Sequence, residues 1–590
     1  MSITKEQQKL IDQEWQDAHD YDPNDPLFSL KREELSGAGL TRRATLRLLA
    51  ASGVLTMANL LPGGARLAHA QNSGGTLTAG WSGVAEIVTL DPAQINQVLQ
   101  FQIASNVYSG LTHIDSNLVA QADIAESWEV SEDGLVYTFK LREGATFHNG
   151  DAFNADDVIF TFDRSSDPAQ SIHSQAIANV ASLEKLNDFE VRFTLKKPQA
   201  SFLPKALERA SGRAMTIVSR GAIESMGLSQ YGLTPVGTGA FKVTEHQLGQ
   251  GVVLERFDDY FDAQRPKLDK VIIKPIDGPE PLAAALQAGD IQYIGGNPLP
   301  AQLVDRFVED PDLTVDIKPA PGFQSVWLNP WREVMAVPDF NKPLDELKKE
   351  SGFMVRLALA KALDRELFVK QALFDNGVPA YGTINPAMGF YYDEGIASQS
   401  EQAFDPEGAK ALLAQAGYPG GDGFPRLDLV TTPSQKRYGL VLANIYKQVL
   451  GINVNVVTKE FTVQIEEFNK MDFDMRLGGS GGDYDPDDGL MDWMITDSKF
   501  NGPTRDKAAM PFGFFSDAEA DEAIVEQSVT ADPEERKALV QKANLISSNK
   551  VACAFLYHPV DIQVYNNSVN YPDESRIPGL HDFDRVSLNS

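Results

Sequence analysis

AESWEVSEDGLVYTFKLREGATFHNGDAFNADDVIFTFDR, residues 125–164, is the stretch from which the fold is predicted. Apolar and polar residues alternate over Leu135–Leu141, which is the pattern of a half-buried strand. Ser131–Gly134 supplies the polar residues and the glycine of a tight turn, so Trp128–Val130 is expected to pair antiparallel with that strand. Asn154 then has the position of a helix N-cap, with carboxylates in the first turn.

The same block carries a family resemblance. Its matching residues are Trp128–Val130, Asp133, Gly134, Phe139, Leu141–Gly144, Phe147, Gly150 and Ala155–Val158. In this order they resemble the signature of family 5 of the bacterial extracytoplasmic solute-binding proteins, the peptide-binding and nickel-binding group served by ABC importers. The resemblance implies an α/β fold like that of type II periplasmic binding proteins. In that fold two lobes, built from three domains and joined by a two-crossover hinge, close over a ligand.

The resemblance also implies the domain organisation. The mature chain is expected to follow a leader, residues 1–70, and domain I, in the first lobe, is expected to be assembled from three separate segments. Domain II extends the first lobe, and domain III forms the second. The expected bounds are 71–111, 229–325 and 553–590 for domain I, 112–228 for domain II and 326–552 for domain III.

Composition limits the possible functions. A chain of 590 residues with 43% hydrophobic content is long enough for a large core and more than one domain. A net charge of −30 argues against nucleic acid as a partner, because phosphates would be repelled. The single cysteine, Cys553, excludes an intramolecular disulfide, and the eight scattered histidines include no His-Glu-x-x-His motif. We therefore expect no metal and no cofactor.

The N-terminal part predicts export. Arg42 and Arg43 precede a short apolar run that ends in a small-x-small cleavage site, Ala68–Ala70. This resembles a twin-arginine signal, although Thr45 stands where that motif often has phenylalanine, and it predicts a periplasmic protein cleaved near Ala70. The apolar run is too short for a membrane span of about 20 residues. The alternatives are an amphipathic helix with two chance arginines, or a translation start further downstream at Met57.

The most informative candidate site is Leu477–Gly489, where glycines are expected to follow a short strand. In peptide-binding members of the family this place supplies main-chain hydrogen bonds and an aspartate that holds the amino terminus of the peptide. By the resemblance that aspartate is Asp483, and Gly479, Ser480, Gly481 and Tyr484 line the ligand beside it. Because Ser480 stands where an aromatic residue is common, opines, sugars and metal chelates remain alternatives to a peptide.

Two further segments border the ligand in the family. The first corresponds here to Val98 and Leu99, and its assignment rests wholly on the resemblance. The second corresponds to Gly295, Gly296 and Asn297, where paired glycines allow close approach of the main chain to a ligand. On physical grounds alone, a plain turn explains these glycines equally well.

A calcium loop is one alternative for the acidic part of the candidate site. Asp483, Asp485 and Asp487 have the spacing of an EF-hand loop. However, Asp488 occupies the position that requires glycine, and Met494 the position that requires glutamate. A flexible acidic surface loop is the other structural alternative, since Asp, Gly and Pro clusters usually form loops.

A secreted serine hydrolase is the competing class of function. Gly478–Gly482 matches the Gly-x-Ser-x-Gly nucleophile elbow around Ser480, with His558 and His581 as possible bases. That elbow turns directly into a helix, whereas Asp483–Gly489 is expected to be a loop. The family resemblance instead implies a monomeric binding protein that is not an enzyme and that presents its ligand to ABC permease subunits. A sensor without transport has the same sequence pattern.

Overall fold

Two large mixed β-sheets organise the chain, one in each lobe. The computed structural model describes residues 74–82, 87–209, 214–296, 299–300, 303–482, 484–498, 500–501, 512–573 and 576–589. These residues belong to one unit, Gln71–Ser590. The predicted leader and its twin-arginine pattern lie outside the described residues. Among the helices that are described, none has the length and hydropathy required to cross a membrane.

The predicted hairpin is present and belongs to a four-stranded antiparallel sheet, so this prediction is confirmed. Trp128 lies opposite Phe139 in the hairpin, and Asn154 accepts the main-chain N–H of Asp156 at the start of the following helix. The elements of this part of the chain are β1 Thr76–Ser82, α1 Val98–Val107, β2 Thr112–Ile114, β3 Ala120–Ala122, β4 Ala125–Val130, β5 Val136–Leu141, α2 Ala155–Ser166, β6 Val180–Asn187, β7 Glu190–Leu195, α3 Arg220–Met226 and α4 Leu228–Leu233. The sheet order is β4-β5-β7-β6.

The chain then returns to the strand with which it began. Its elements here are β8 Phe241–Gln247, β9 Gly251–Arg256, β10 Lys270–Pro275, α5 Pro279–Ala288, β11 Tyr293–Gly296, α6 Asp305–Val308 and β12 Leu313–Pro319. Strands β8, β9 and β10 form an antiparallel meander, and β1 lies parallel to both β10 and β11. Helix α5 begins with Pro279, which is favourable at a first helical position, and ends at the left-handed Gly289.

The second lobe is built on a six-stranded mixed sheet. Its elements are β13 Gly322–Leu328, α7 Leu344–Leu347, α8 Ser351–Lys361, α9 Arg365–Leu373, β14 Val378–Pro379, α10 Ile396–Gln399, α11 Pro406–Gln415, β15 Leu427–Thr431, α12 Lys436–Leu450, β16 Val454–Thr458, α13 Phe461–Asn469, β17 Met475–Gly481, α14 Pro486–Gly489, α15 Ala518–Val529, α16 Pro533–Asn549 and β18 Ala554–His558. The sheet order is β14-β18-β13-β17-β15-β16. The parallel strands β15, β16 and β17 alternate with helices, which confirms the predicted α/β class.

Two buried arginines hold the second lobe together. Arg356 donates to the carbonyl oxygens of Leu328, Val551 and Ala552, so it joins α8 to the segment before β18. Arg365 donates to main-chain carbonyls in the same way. Both side chains are therefore structural.

Two short crossovers join the lobes. β12 ends at Pro319 and β13 begins at Gly322, while β18 is followed after Pro559 by β19 Val560–Asn566, β20 Val569–Asn570 and β21 Ser587–Leu588. Strand β19 completes the sheet of the first lobe, in the order β12-β19-β11-β1-β10-β9-β8. The Ala320 N–H donates to the Pro559 carbonyl at 2.9 Å, so the two crossovers are joined side by side. The division into three domains stays a prediction, but its boundary at 325 falls inside β13, and its boundary at 553 assigns β18 to the wrong sheet.

Candidate functional site

The predicted glycine-rich site is the second half of strand β17. The expectation that the glycines follow the strand is wrong, because the strand continues through Gly481 and pairs with β13 over its whole length. On its other side β17 pairs with β15 only at Met475 and Arg476. Beyond Arg476 this edge has no neighbouring strand in the part of the chain that the structure describes. An extended ligand therefore has a strand edge with which it can pair.

Different structural features explain why glycine stands at positions 479 and 481. A Cβ atom at Gly479 would lie 1.8 Å from the Phe323 carbonyl oxygen, so the close pairing of β13 with β17 requires glycine there. A Cβ atom at Gly481 would meet no atom within 4 Å. Gly481 thus faces open space and suits a place beside a ligand, whereas packing of the two strands accounts for Gly479.

Ser480 does not lie on a nucleophile elbow. It is an extended residue inside β17 and pairs with Phe323, whereas an elbow places its serine on a strand-to-helix turn. The candidate base His558 is buried and donates from Nδ1 to the Gly322 carbonyl at 2.9 Å. Burial lowers the pKa of His558 to about 4, which makes it a weak base at neutral pH.

The acidic segment after β17 is not a plain loop. Asp485 caps the short helix α14, accepting the Asp487 N–H at 3.0 Å. The Asp485 carboxylate is buried and accepts two hydrogen bonds from the Arg536 guanidinium, at 2.6 and 3.0 Å. Although burial raises the pKa of Asp485, the Arg536 guanidinium holds that pKa below its ordinary value. Because this carboxylate is fully engaged, the segment is not a calcium loop.

The next two aspartates connect the lobes. Asp487 accepts from Gln527 Nε2 at 2.6 Å and, on its other oxygen, from Ser201 Oγ at 2.5 Å. The Lys205 ammonium lies 2.6 Å from a carboxylate oxygen of Asp488. Ser201 and Lys205 belong to the first lobe, at the π-helical turn Phe202–Ala206, so we call these four residues, Ser201, Lys205, Asp487 and Asp488, the interlobe latch.

Tyr484 faces the first lobe across the segment 577–581. Its hydroxyl donates to the Pro578 carbonyl at 3.3 Å, and the next carbonyl, of Gly579, accepts from Gln102 Nε2 of α1 at 2.9 Å. Val98 is four residues before Gln102, therefore on the same helix face, and is 57% exposed. Leu99 is buried in the core of the first lobe. The structure therefore places Tyr484 and Gln102 against one segment, with Val98 exposed on the face of α1 that carries Gln102 and Leu99 buried.

Gly295 lies within β11 against an aromatic side chain of β1. A Cβ atom there would lie 2.1 Å from Trp81 Nε1, so the glycine makes room for the indole of the neighbouring strand. Gly296 pairs with Ser82 at the end of the same ladder. A close approach of ligand to these glycines stays a prediction. Two other predicted site residues, Asp483 and Asn297, lie outside the described residues.

Sequence reasoning missed the interlobe latch and Arg536. One usable signal was present, because aspartate followed by proline, as in Asp485 and Pro486, is typical of a helix start. Ser201 is 286 positions from its partner Asp487, and no local pattern indicates such a contact.

Comparison with known proteins is consistent with this architecture. The profile of the bacterial extracellular solute-binding proteins, family 5 Middle, matches residues 120–502. The glutathione-binding protein GsiB of Escherichia coli (strain K12) is 27% identical over 465 residues, which cover 78% of this chain and 84% of that protein.

Solved structures give the same fold. The periplasmic binding protein DppA from Helicobacter pylori, in complex with the peptide STSA, is 25% identical with a TM-score of 0.67, covering 88% of this chain and 99% of that one. The substrate-binding protein CtaP from Listeria monocytogenes is 21% identical with a TM-score of 0.73, covering 88% and 100%. The predicted type II periplasmic binding protein fold is thereby confirmed. The chain belongs to the family 5 bacterial extracellular solute-binding proteins and is the substrate-binding component of an ABC importer, not an enzyme.

Proposed function

We propose that the solute is a short peptide, bound in extended form along the edge of β17 beyond its ladder with β15. The proposal rests on the observation that β15 pairs with β17 only as far as Arg476. β17 continues for five residues past Arg476 without a neighbouring strand on that side among the described residues, although the Leu477 carbonyl accepts a hydrogen bond from Gln464 Nε2 at 3.4 Å. Main-chain hydrogen bonds along such an edge give affinity for any extended peptide, and side-chain contacts give selectivity.

The amino terminus of the peptide is assigned to Asp483. A desolvated ammonium group requires an anionic partner, and a hydrogen bond between charged groups contributes about 1.5–3 kcal/mol. The two aspartates that follow closest, Asp485 and Asp487, are engaged by protein groups and have no oxygen to spare for this role. Gly481 and Tyr484 complete the second-lobe side of the site, and Val98 with Gly295–Asn297 the first-lobe side.

The same fold accounts for delivery of the solute to the membrane permease. Ligand bound between the lobes favours the arrangement in which they touch, and a permease recognises both lobes together. The protein works as a monomer in the periplasm, where a twin-arginine signal cleaved near Ala70 directs it. Support for export is the pattern around Arg42 and Arg43, followed by the small residues Ala68–Ala70.

Thermal unfolding of the protein against a ligand panel tests the proposal. The panel contains di- to pentapeptides, glutathione, opines, sugars and metal chelates. Ligand at a hundredfold excess over Kd stabilises the folded state by about 2.7 kcal/mol, which raises Tm. We expect peptides to raise Tm, and the rise to disappear in Asp483→Ala but not in the control Asp290→Ala, whose carboxylate is exposed on the first lobe. Stabilisation by a non-peptide alone, unchanged in Asp483→Ala, would refute both the ligand class and the anchor.

A further inference from the structure

Arg476 is a buried cation without an anionic partner. Its side chain is 3% exposed, and Nε and Nη1 are buried without a hydrogen-bond acceptor. Within the described residues it makes no ion pair, and its guanidinium carbon lies 4.6 Å from the centre of the Phe468 ring. Other buried arginines of the chain differ, because Arg356 and Arg365 donate to main-chain carbonyls and Arg536 donates to Asp485.

The guanidinium extends along one face of β17 toward the carboxyl end of the strand. Arg476, Gly478 and Ser480 share one face of the strand, because side chains alternate along it. A Cβ atom at Gly478 would lie 2.8 Å from the guanidinium carbon of Arg476, so the charged group lies directly over this glycine. It is thus displaced from its own Cα toward the carboxyl end of the strand, where the ladder to β15 has stopped. Ligands of α/β sheets bind at the carboxyl ends of the strands.

The Arg476 side chain stays charged in this buried position. Burial lowers the pKa of Arg476 to about 10, so the side chain is protonated at neutral pH. An unpaired buried charge is unfavourable, and the Phe468 ring offsets only part of that cost through a cation–π contact. A planar guanidinium with unused N–H donors matches the two oxygens of a carboxylate.

We propose that Arg476 binds a carboxylate group of the transported solute at the carboxyl end of β17. The inference rests on the proposed function, because it places the solute along the same strand edge. It adds the requirement that the solute carries an anionic group. Because Gly478 has no side chain, the Arg476 guanidinium has room to contact that group.

Pairs of ligands that differ in one group test the inference. Peptides with a free terminal carboxylate are compared with their carboxamides by calorimetry, on wild type, Arg476→Met, Arg476→Lys and the control Arg437→Met. Arg437 is an exposed arginine of the same lobe that also stacks on a phenylalanine, Phe374. A third peptide series, with an amidated terminus and one glutamate, distinguishes a terminal from a side-chain carboxylate.

We expect wild type and Arg437→Met to prefer the carboxylate form by at least roughly tenfold. Arg476→Met loses that preference, Arg476→Lys keeps part of it, and the Tm of ligand-free Arg476→Met is not below that of wild type, since an unpaired charge has been removed. Equal binding of carboxylate and amide by wild type would overturn the inference and leave the proposed function standing. A lower Tm of ligand-free Arg476→Met with an unchanged preference would also overturn it.

Failure of the proposed function gives a different result. If no peptide binds but a non-peptide carboxylate does, and loses at least tenfold in affinity in Arg476→Met, the peptide class is refuted and the anion site is supported. If neither a peptide in any form nor any other compound carrying a carboxylate binds wild type, both are refuted.

Discussion

Removing the charge of Lys205 is expected to open the two lobes. In the structure its ammonium lies 2.6 Å from Asp488, with side-chain exposures of 30% and 18%. A hydrogen bond between charged groups contributes about 1.5–3 kcal/mol, and partial exposure places this one near the lower limit. Lys205→Met therefore lowers the ratio of closed to open molecules roughly tenfold, since 1.4 kcal/mol corresponds to a factor of ten.

Small-angle X-ray scattering of the ligand-free protein measures this change as a larger radius of gyration. Lys185→Met is the matched control, because Lys185 pairs with Asp156 and Asp188 inside the first lobe. Ligand affinity falls with the fraction of closed molecules, so Lys205→Met also weakens binding, whereas Lys185→Met does not. Equal radii for wild type and Lys205→Met, together with equal affinities, would refute the assignment of this ion pair as a closing contact.

Two further predictions concern stability. His148 donates from Nε2 to the Gly239 carbonyl and accepts the Gly237 N–H on Nδ1, so it folds as neutral imidazole, and burial lowers its pKa to about 4. The unfolded chain binds a proton on this imidazole from pH 6.5 downward and the folded chain does not, so the free energy of unfolding falls as the pH decreases. Between pH 6.5 and 5 His148 accounts for a loss of about 1.6 kcal/mol. Urea unfolding at both pH values should show a shallower dependence in His148→Gln, and an unchanged dependence would contradict this account. Gly479→Ala should lower Tm because its Cβ would collide with β13, whereas Gly481→Ala should fold like wild type and weaken ligand binding; equal Tm values for the two variants would contradict the different roles of these glycines.

Local patterns predicted those parts of the fold that local contacts determine. The hairpin of β4 and β5 follows from its turn residues and alternation, and Asn154 begins α2 as its position indicates. The apolar pattern from Val355 to Arg365 is typical of one helix, but the structure has two, because Asp364 caps α9 by accepting the Leu367 N–H. Because the apolar pattern is unbroken, it does not indicate that α8 ends at Lys361.

The candidate site was less predictable, because its geometry depends on distant partners. β17 remains extended through its glycines since β13 pairs with it, and a glycine run has no strand propensity of its own. The sequence around Asp487 and Asp488 is typical of a loop. Their contacts with Ser201 and Lys205 are visible only in the structure. The exposed fraction of Val98 and the burial of Leu99 likewise depend on the packing of α1, not on its sequence.

The paired crossovers have a consequence for how the lobes move. Each connection is only one or two residues long, and a hydrogen bond between Ala320 and Pro559 ties one to the other. Two short, paired connections restrict sliding of one lobe along the other and favour rotation about an axis through the crossovers. Because the Gly482 N–H also donates to the Pro321 carbonyl, the end of β17 is fixed to that axis. A solute bound at this end of β17 lies close to the rotation axis. A small displacement of the strand there therefore corresponds to a larger displacement of the parts of the lobes that are far from the axis.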